Sequence, residues 1–365
     1  MRWALDWPPP PRLTDPDEIA LARKVGQLIL VGYRGVGPDA PWAQQTRRDL
    51  AAGRIGGVLL HDYNFHTPDE LSQLTAALAP PGATPRPLIA IDQEGGRVSR
   101  LAARNGFSGF PAPARVAAAH SPAQARALYQ QMACELRRYG VTLNLAPVVD
   151  LNLNPNSPII GRWGRSFGAD ARSVVRYAQA FVQGHRDAGV LTALKHFPGH
   201  GTACGDTHKG AVNASADWRA EELRPYRLLT QANTVDLVMT AHVFVSELDP
   251  DAPASLSARV IEGRLRHEIG FDGVVITDDL QMVVAVESYA NTPQQAALAA
   301  LAAGNDLVLL SNFFAFDRHL PARIARRVVQ AVRSGVLSVA RIDQAFARVA
   351  ALKQRLNGAN TACSL

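Results

Sequence analysis

Residues 191–210 read LTALKHFPGHGTACGDTHKG. The first seven form an apolar, β-rich run that stops on Lys195, His196 and Phe197. The remainder mixes Gly and Pro with His, Lys and Asp and cannot continue as a regular strand or helix, so it is a loop. A buried strand delivering polar side chains into a long loop is the unit from which the fold is read. Similar runs predict further strands at 26–33, 56–61, 87–92, 143–150, 235–243, 273–280 and 305–310, making eight with 191–197. Helical spacing fills stretches between them, including 122–139, 171–188, 257–269 and 292–303.

Strands that are apolar throughout, rather than alternating, need cover on both faces, which implies a parallel sheet wrapped by helices. Eight β/α repeats predict an α/β fold, a single (β/α)8 TIM-type barrel. A doubly wound open sheet is the competing architecture. The polar residues favour the barrel. Asp92, Asp150, Lys195, His196, His242 and Asp278 all fall at or just past the C-terminal ends of five different strands, the face on which barrel enzymes assemble their sites. One such residue is ordinarily a turn former or a helix cap, but coincidence across five strands calls for another explanation.

The domain organisation that follows is an N-terminal arm over 1–25, a catalytic barrel over 26–357 and a C-terminal tail over 358–365. Ser338 is the expected N-cap of a final packing helix.

The 365 residues are 47% hydrophobic and 19% charged, too apolar for a disordered chain, and no uninterrupted apolar stretch approaches the roughly 20 residues of a membrane span. The net charge of +6 raises the question of a polyanionic partner. The densest basic run, 318–333, places Arg323, Arg326 and Arg327 beside Ile324, Val328, Val329 and Val332 at helical spacing, without interleaved aromatics. It reads as a solvated helix face, so no nucleic-acid partner is expected. Cys134, Cys204 and Cys363 form no CxxC pair and predict no disulfide framework. With no apolar signal core near Met1, that points to a reducing compartment and a cytoplasmic monomer without a membrane partner.

Four segments carry candidate chemistry. In 195–210 the Cys and His spacing does not suit zinc, and no GxxxxGK[ST] cradles a phosphate, so neither metal nor cofactor is expected. Asp206 and His208 instead suit a coupled pair: the carboxylate orients one imidazole nitrogen and leaves the other to donate and accept a proton near neutral pH. Lys195 and His196 would donate to hydroxyl groups. In 277–280 (TDDL), Asp278 and Asp279 alternate in direction, so only one can face the barrel mouth, and the pattern alone does not say which. In 91–100 (IDQEGGRVSR) the GxGxxG spacing of dinucleotide sites is missing. Asp92 followed by Arg97 and Arg100 suits a carboxylate and guanidinium gripping adjacent sugar hydroxyls. The fourth segment, GRWGRSFG at 161–168, offers Arg162 and Arg165.

Taken in order, IDQEGGRV, GRSFG, KHFPGHG with its following DTH, and ITDDLQM resemble the family 3 glycoside hydrolases, specifically the single-domain bacterial β-N-acetylglucosaminidases of cell-wall recycling. The resemblance covers about residues 24–355. It implies a (β/α)8 barrel that hydrolyses terminal non-reducing β-linked N-acetylglucosamine (GlcNAc) with retention, on peptidoglycan fragments such as GlcNAc-1,6-anhydro-MurNAc and its peptides. It assigns Asp278 as nucleophile, His208 as acid/base with Asp206 as its partner, and Asp92, Arg100, Arg165, Lys195 and His196 as substrate contacts. The chain departs from the family pattern at HDYNFH (61–66), which replaces the usual Arg-Asn pair and keeps only Asn64. It departs again after His208, where the usual Leu-Pro is absent. A phosphorylase using the same neutral imidazole, a two-domain β-glucosidase and a noncatalytic sugar-binding barrel are the alternatives.

Overall fold

The structure is a computed structural model that describes residues 8–80, 82–83, 85–205, 212–284, 290–313, 316–356 and 363. The eight expected strands are present: β1 (Ile29–Val31), β2 (Gly57–Leu59), β3 (Leu88–Ile91), β4 (Leu143–Asn144), β5 (Leu191–Phe197), β6 (Leu237–Thr240), β7 (Val274–Asp279) and β8 (Leu307–Leu310). Each pairs in parallel with its sequence neighbours, and β8 returns to β1 through Ile29 opposite Val308, closing the barrel. All residues of these strands are buried except Asp278, which is half-buried. Closure and a jacket of helices leave these strands no exposed edge, which is why their sequences are continuously apolar.

Helix starts follow local capping chemistry. Ser121 and Gln124 form a reciprocal capping box ahead of helix Pro122–Arg138, and Asp170 caps Ala171–Asp187. Ser338 accepts from the Arg341 backbone to start Val339–Gln354, as expected. The stretch 257–269 differs: Arg259–Glu268 is wound as a π-helix.

Two expectations change. Cys134, on helix Pro122–Arg138, is disulfide-bonded to Cys363, with Cα atoms 5.6 Å apart and a sequence separation of 229. Spacing could not show this, because only tertiary packing brings the C-terminal segment onto that helix, and the cysteine argument for a reducing compartment falls with it. The basic face of helix Leu320–Arg333 is also only partly solvated. Arg323 donates to the Pro8 carbonyl and Arg326 to the Pro11 carbonyl, both at 2.7 Å, strapping the N-terminal segment to the barrel. That segment continues into a helix, Pro16–Gln27, capped by Asp15. Among the described residues no helix is long and apolar enough to cross a membrane.

Candidate active site

The C-terminal ends of the strands open into a cleft of about 240 Å³ with Leu59, Leu145, Met239 and Leu309 among its lining residues. Its polar lining includes Asp92, Arg100, Arg165, Lys195, His196 and Asp278, so six of the eight residues singled out from sequence meet in one cleft. The other two, Asp206 and His208, lie outside the described residues.

On β7, Asp278 lies in the cleft and its Oδ1 accepts from the Asp279 backbone at 2.8 Å. Asp279 also borders the cleft, but its carboxylate is engaged. Oδ1 accepts from the backbone N–H of Ser311 at 2.9 Å and of Gln281 at 3.1 Å. Burial holds its pKa above the ordinary carboxylate value. His242, at the end of β6, is likewise structural, donating from Nε2 to the Asp279 carbonyl at 2.9 Å and accepting from Ser255 at 2.7 Å.

Across the cleft, Lys195 Nζ lies 2.8 Å from Asp92 Oδ1 and 2.7 Å from Glu94 Oε1. Glu94 also takes a bidentate grip from Arg165, at 2.8 Å from Nε and 2.7 Å from Nη2. Burial alone would raise the Asp92 and Glu94 carboxyls and lower Lys195, but mutual attraction outweighs it: both acids sit below their ordinary range, Glu94 at about 2, and Lys195 sits above its own. All are therefore charged near neutral pH. Arg100 approaches Asp92 Oδ2 at 3.6 Å, too far for a hydrogen bond, leaving that oxygen able to accept from a ligand.

His196 donates from Nδ1 to Asp150 Oδ2 at 2.7 Å, while Asp150 Oδ1 accepts from the backbone N–H of His196 and His200. The carboxylate thus fixes the tautomer and leaves His196 Nε2 as an acceptor on the cleft side, 3.5 Å from Arg165 Nη2. Arg97 and Arg162 take no part in this lining; Arg97 stacks over Trp163 at 3.8 Å.

Sequence reasoning passed over Glu94 and gave Asp150 no role. Glu94 was legible in principle, since it follows Asp92 by two and shares its direction along an extended chain. It also passed over Glu222, a fully buried carboxylate. Glu222 accepts from the Gly201 backbone at 2.8 Å and from the Thr202 backbone and hydroxyl at 3.3 and 2.7 Å. Together Asp150 and Glu222 hold the peptide from His196 to Thr202, the segment that leads to Asp206 and His208. Burial, reinforced by Asp150, pushes the Glu222 pKa up to about 7. Among the described residues no group of three His, Cys, Asp or Glu is placed to hold a metal.

A closed (β/α)8 barrel with a charge-lined cleft at its strand ends is the arrangement of a barrel enzyme. Residues 20–352 match the glycosyl hydrolase family 3 N-terminal domain, and the chain belongs to that family. Its relatives place it in the β-hexosaminidase group. It is 37% identical to β-hexosaminidase LpqI of Mycobacterium tuberculosis, over 93% of this chain and 83% of that one. It is 41% identical to the β-hexosaminidase of Alkalilimnicola ehrlichii, over 76% and 81%. Among solved structures it resembles a family 3 β-N-acetylglucosaminidase from Paenibacillus sp. with TM-score 0.82 and 36% identity. The match covers 97% of this chain and spans 65% of the Paenibacillus chain.

Proposed function

We propose that the chain is a retaining exo-β-N-acetylglucosaminidase that removes terminal non-reducing GlcNAc from peptidoglycan fragments through a covalent glycosyl-enzyme. The observation that carries this reading is the placement of Asp278 in one cleft with Asp92, Arg100, Arg165, Lys195 and His196.

In this mechanism the distal hydroxyls of the sugar are held by Asp92, Arg100, Lys195 and His196. Asp278 attacks C1, and His208, oriented by Asp206, protonates the departing oxygen. Water deprotonated by His208 then attacks C1, breaks the C1–Oδ bond and frees GlcNAc with its original anomeric configuration. The Cys134–Cys363 bond favours work in an oxidising compartment over the cytoplasm. The enzyme acts as a monomer on a sugar or muropeptide.

The test is product stereochemistry and trapping. NMR of the first-formed sugar should show the β-anomer, and a 5-fluoro-GlcNAc donor should add one sugar mass to the peptide containing Asp278. Asp278→Ala should lose at least about 10³-fold in kcat with an unchanged melting temperature. An α-anomer, a label elsewhere or a near-normal rate in the variant would overturn the mechanism. GlcNAc-1-phosphate formed in phosphate buffer would assign the phosphorylase reaction instead.

A further inference from the structure

The segment HDYNFH builds one wall of the cleft together with β8. His61 and Tyr63 stack with ring centroids 5.0 Å apart and planes at 15°. Tyr63 and Phe313 continue the stack at 4.7 Å and 28°. The Arg34 guanidinium covers Phe313, 4.8 Å from its centroid. All three rings line the cleft that holds Asp278. The wall runs outward from beside Asp92 and Arg100, whose charges act on His61, to Phe313, which is 37% exposed at the rim.

The wall is held rigidly. Asn64, fully buried, accepts from the His61 backbone at 2.9 Å and donates to the carbonyls of Tyr33 and Gly35 at 3.0 Å, which fixes the turn that aims His61 and Tyr63. Gln281 accepts from the Phe313 backbone at 2.9 Å and from Ser311 Oγ at 3.0 Å. Arg34 donates to the Phe313 carbonyl. An aromatic ring at the rim anchored through both of its backbone groups is a built feature of the cleft.

Two polar atoms in this wall stand unmatched among the described residues. His61 Nε2 and Tyr63 OH are buried and find no hydrogen-bond partner among the described residues. Buried polar groups are ordinarily satisfied, so both call for a ligand or water. The rings stack face to face on one another and Arg34 covers Phe313, so the wall offers the cleft ring edges and two unmet polar atoms, a mixture that matches the C–H groups and hydroxyls of a sugar ring.

We infer that the His61–Tyr63–Phe313 stack is a leaving-group subsite that selects substrates whose aglycone is itself a ring, a second sugar above all, and that Phe313 is its outermost specificity determinant. The inference rests on the exo-glycosidase reading, with the GlcNAc to be cleaved in the inner part of the cleft among Asp92, Arg100, Lys195 and His196. The departing group then leaves past the rim, where Phe313 stands three residues beyond the end of β8, the strand neighbouring that of Asp278.

The test compares N-acetyl-β-glucosaminyl fluoride, whose leaving group is one atom and cannot reach the wall, with N,N′-diacetylchitobiose. Phe313→Ala should lower kcat/KM for chitobiose about tenfold, chiefly through KM, a loss on the scale of one aromatic contact. The same variant should hydrolyse the fluoride within about twofold of wild type, and Phe313→Tyr should restore chitobiose. Equal losses on both substrates would move the wall to the inner sugar and overturn the inference, as would no loss on either. Failure of the wild-type enzyme to release GlcNAc from the fluoride would overturn the underlying reading, and the inference with it.

Discussion

The two ends of the barrel use the same charged residue types to opposite purposes. At the N-terminal end, Asp306, just before β8, is completely buried, and each of its oxygens has two donors. Arg341 Nη2 and Arg348 Nη1 approach Oδ1 at 2.8 and 3.3 Å, while Arg266 Nη2 and the Val275 N–H approach Oδ2 at 2.5 and 3.0 Å. Asp236, just before β6, is closed in the same way by Arg186, Arg355 and the backbone and hydroxyl of Thr192. At the C-terminal end the network of Asp92, Glu94, Lys195 and Arg165 is incomplete. Among the described residues both ends hold a buried guanidinium nitrogen without a partner, Arg186 Nε and Arg266 Nε at the base and Arg100 Nε at the mouth, but only at the mouth do acceptors stand open: Asp92 Oδ2 has spare capacity, and His61 Nε2 and Tyr63 OH are buried without partners. Carboxylates with every oxygen engaged add rigidity, whereas one with an open oxygen stores binding capacity for a ligand.

Removing a carboxylate from each end should break this symmetry of composition. Asp306→Ala leaves Arg266, 4% exposed, without its counter-charge. Breaking a buried pair from one side costs about 3–5 kcal/mol. Chemical denaturation should show a loss of that size, while kcat of the molecules that remain folded stays at the wild-type value. A large fall in kcat at unchanged stability would mean that the base reports on the mouth.

Glu222 tests the boundary between the two regimes, since it is saturated by donors yet braces the mouth. Its carboxyl is raised from 4.5 to about 7, so between those values the folded protein binds a proton that the unfolded chain has released. Its contribution to stability is therefore fully present below pH 4.5 and is lost as pH rises through 7. The shift corresponds to at most about 3 kcal/mol. The difference between the stability–pH curves of wild type and Glu222→Gln should fall across that window and be flat above it. A difference that is flat from pH 4.5 to 7 would show that Glu222 is ionised throughout.

Glu94→Gln should give the smallest change in free energy and the most selective one. It keeps the shape and an accepting oxygen but deprives Lys195 and Arg165 of a shared charge, while Lys195 retains Asp92 at 2.8 Å. The expected result is a loss in kcat/KM of about 30-fold, equivalent to about 2 kcal/mol, larger than the accompanying loss of stability. A stability loss matching that of Asp306→Ala, with normal kcat/KM, would erase the distinction between the two ends.

Legibility followed the range of the forces involved. Each of the eight strands could be read because burial on both faces writes itself into a few consecutive residues. Asp92, Lys195, His196 and Asp278 could be read because they end those strands. The loop 161–168 offered Arg162 and Arg165 alike, and only resemblance singled out Arg165, since that loop has no periodicity to betray direction. The choice between Asp278 and Asp279 was open in the pattern. In the structure Asp279 Oδ1 is occupied by the Gln281 N–H, two residues on, and by the Ser311 N–H, 32 residues away, and only the first lies within reach of a local window.

By itself, then, the amino-acid order determined the repeat, the face on which polar groups gather and the family likeness, because these depend on hydrophobic spacing and on motifs a few residues long. Tertiary structure alone decided that Glu94 is the hub of the charge network, that Asp150 and Glu222 brace the loop, that Cys134 reaches Cys363, and that His61, Tyr63 and Phe313 form one wall. Those contacts join positions tens to hundreds of residues apart, and only closing the barrel brings them within a few ångströms.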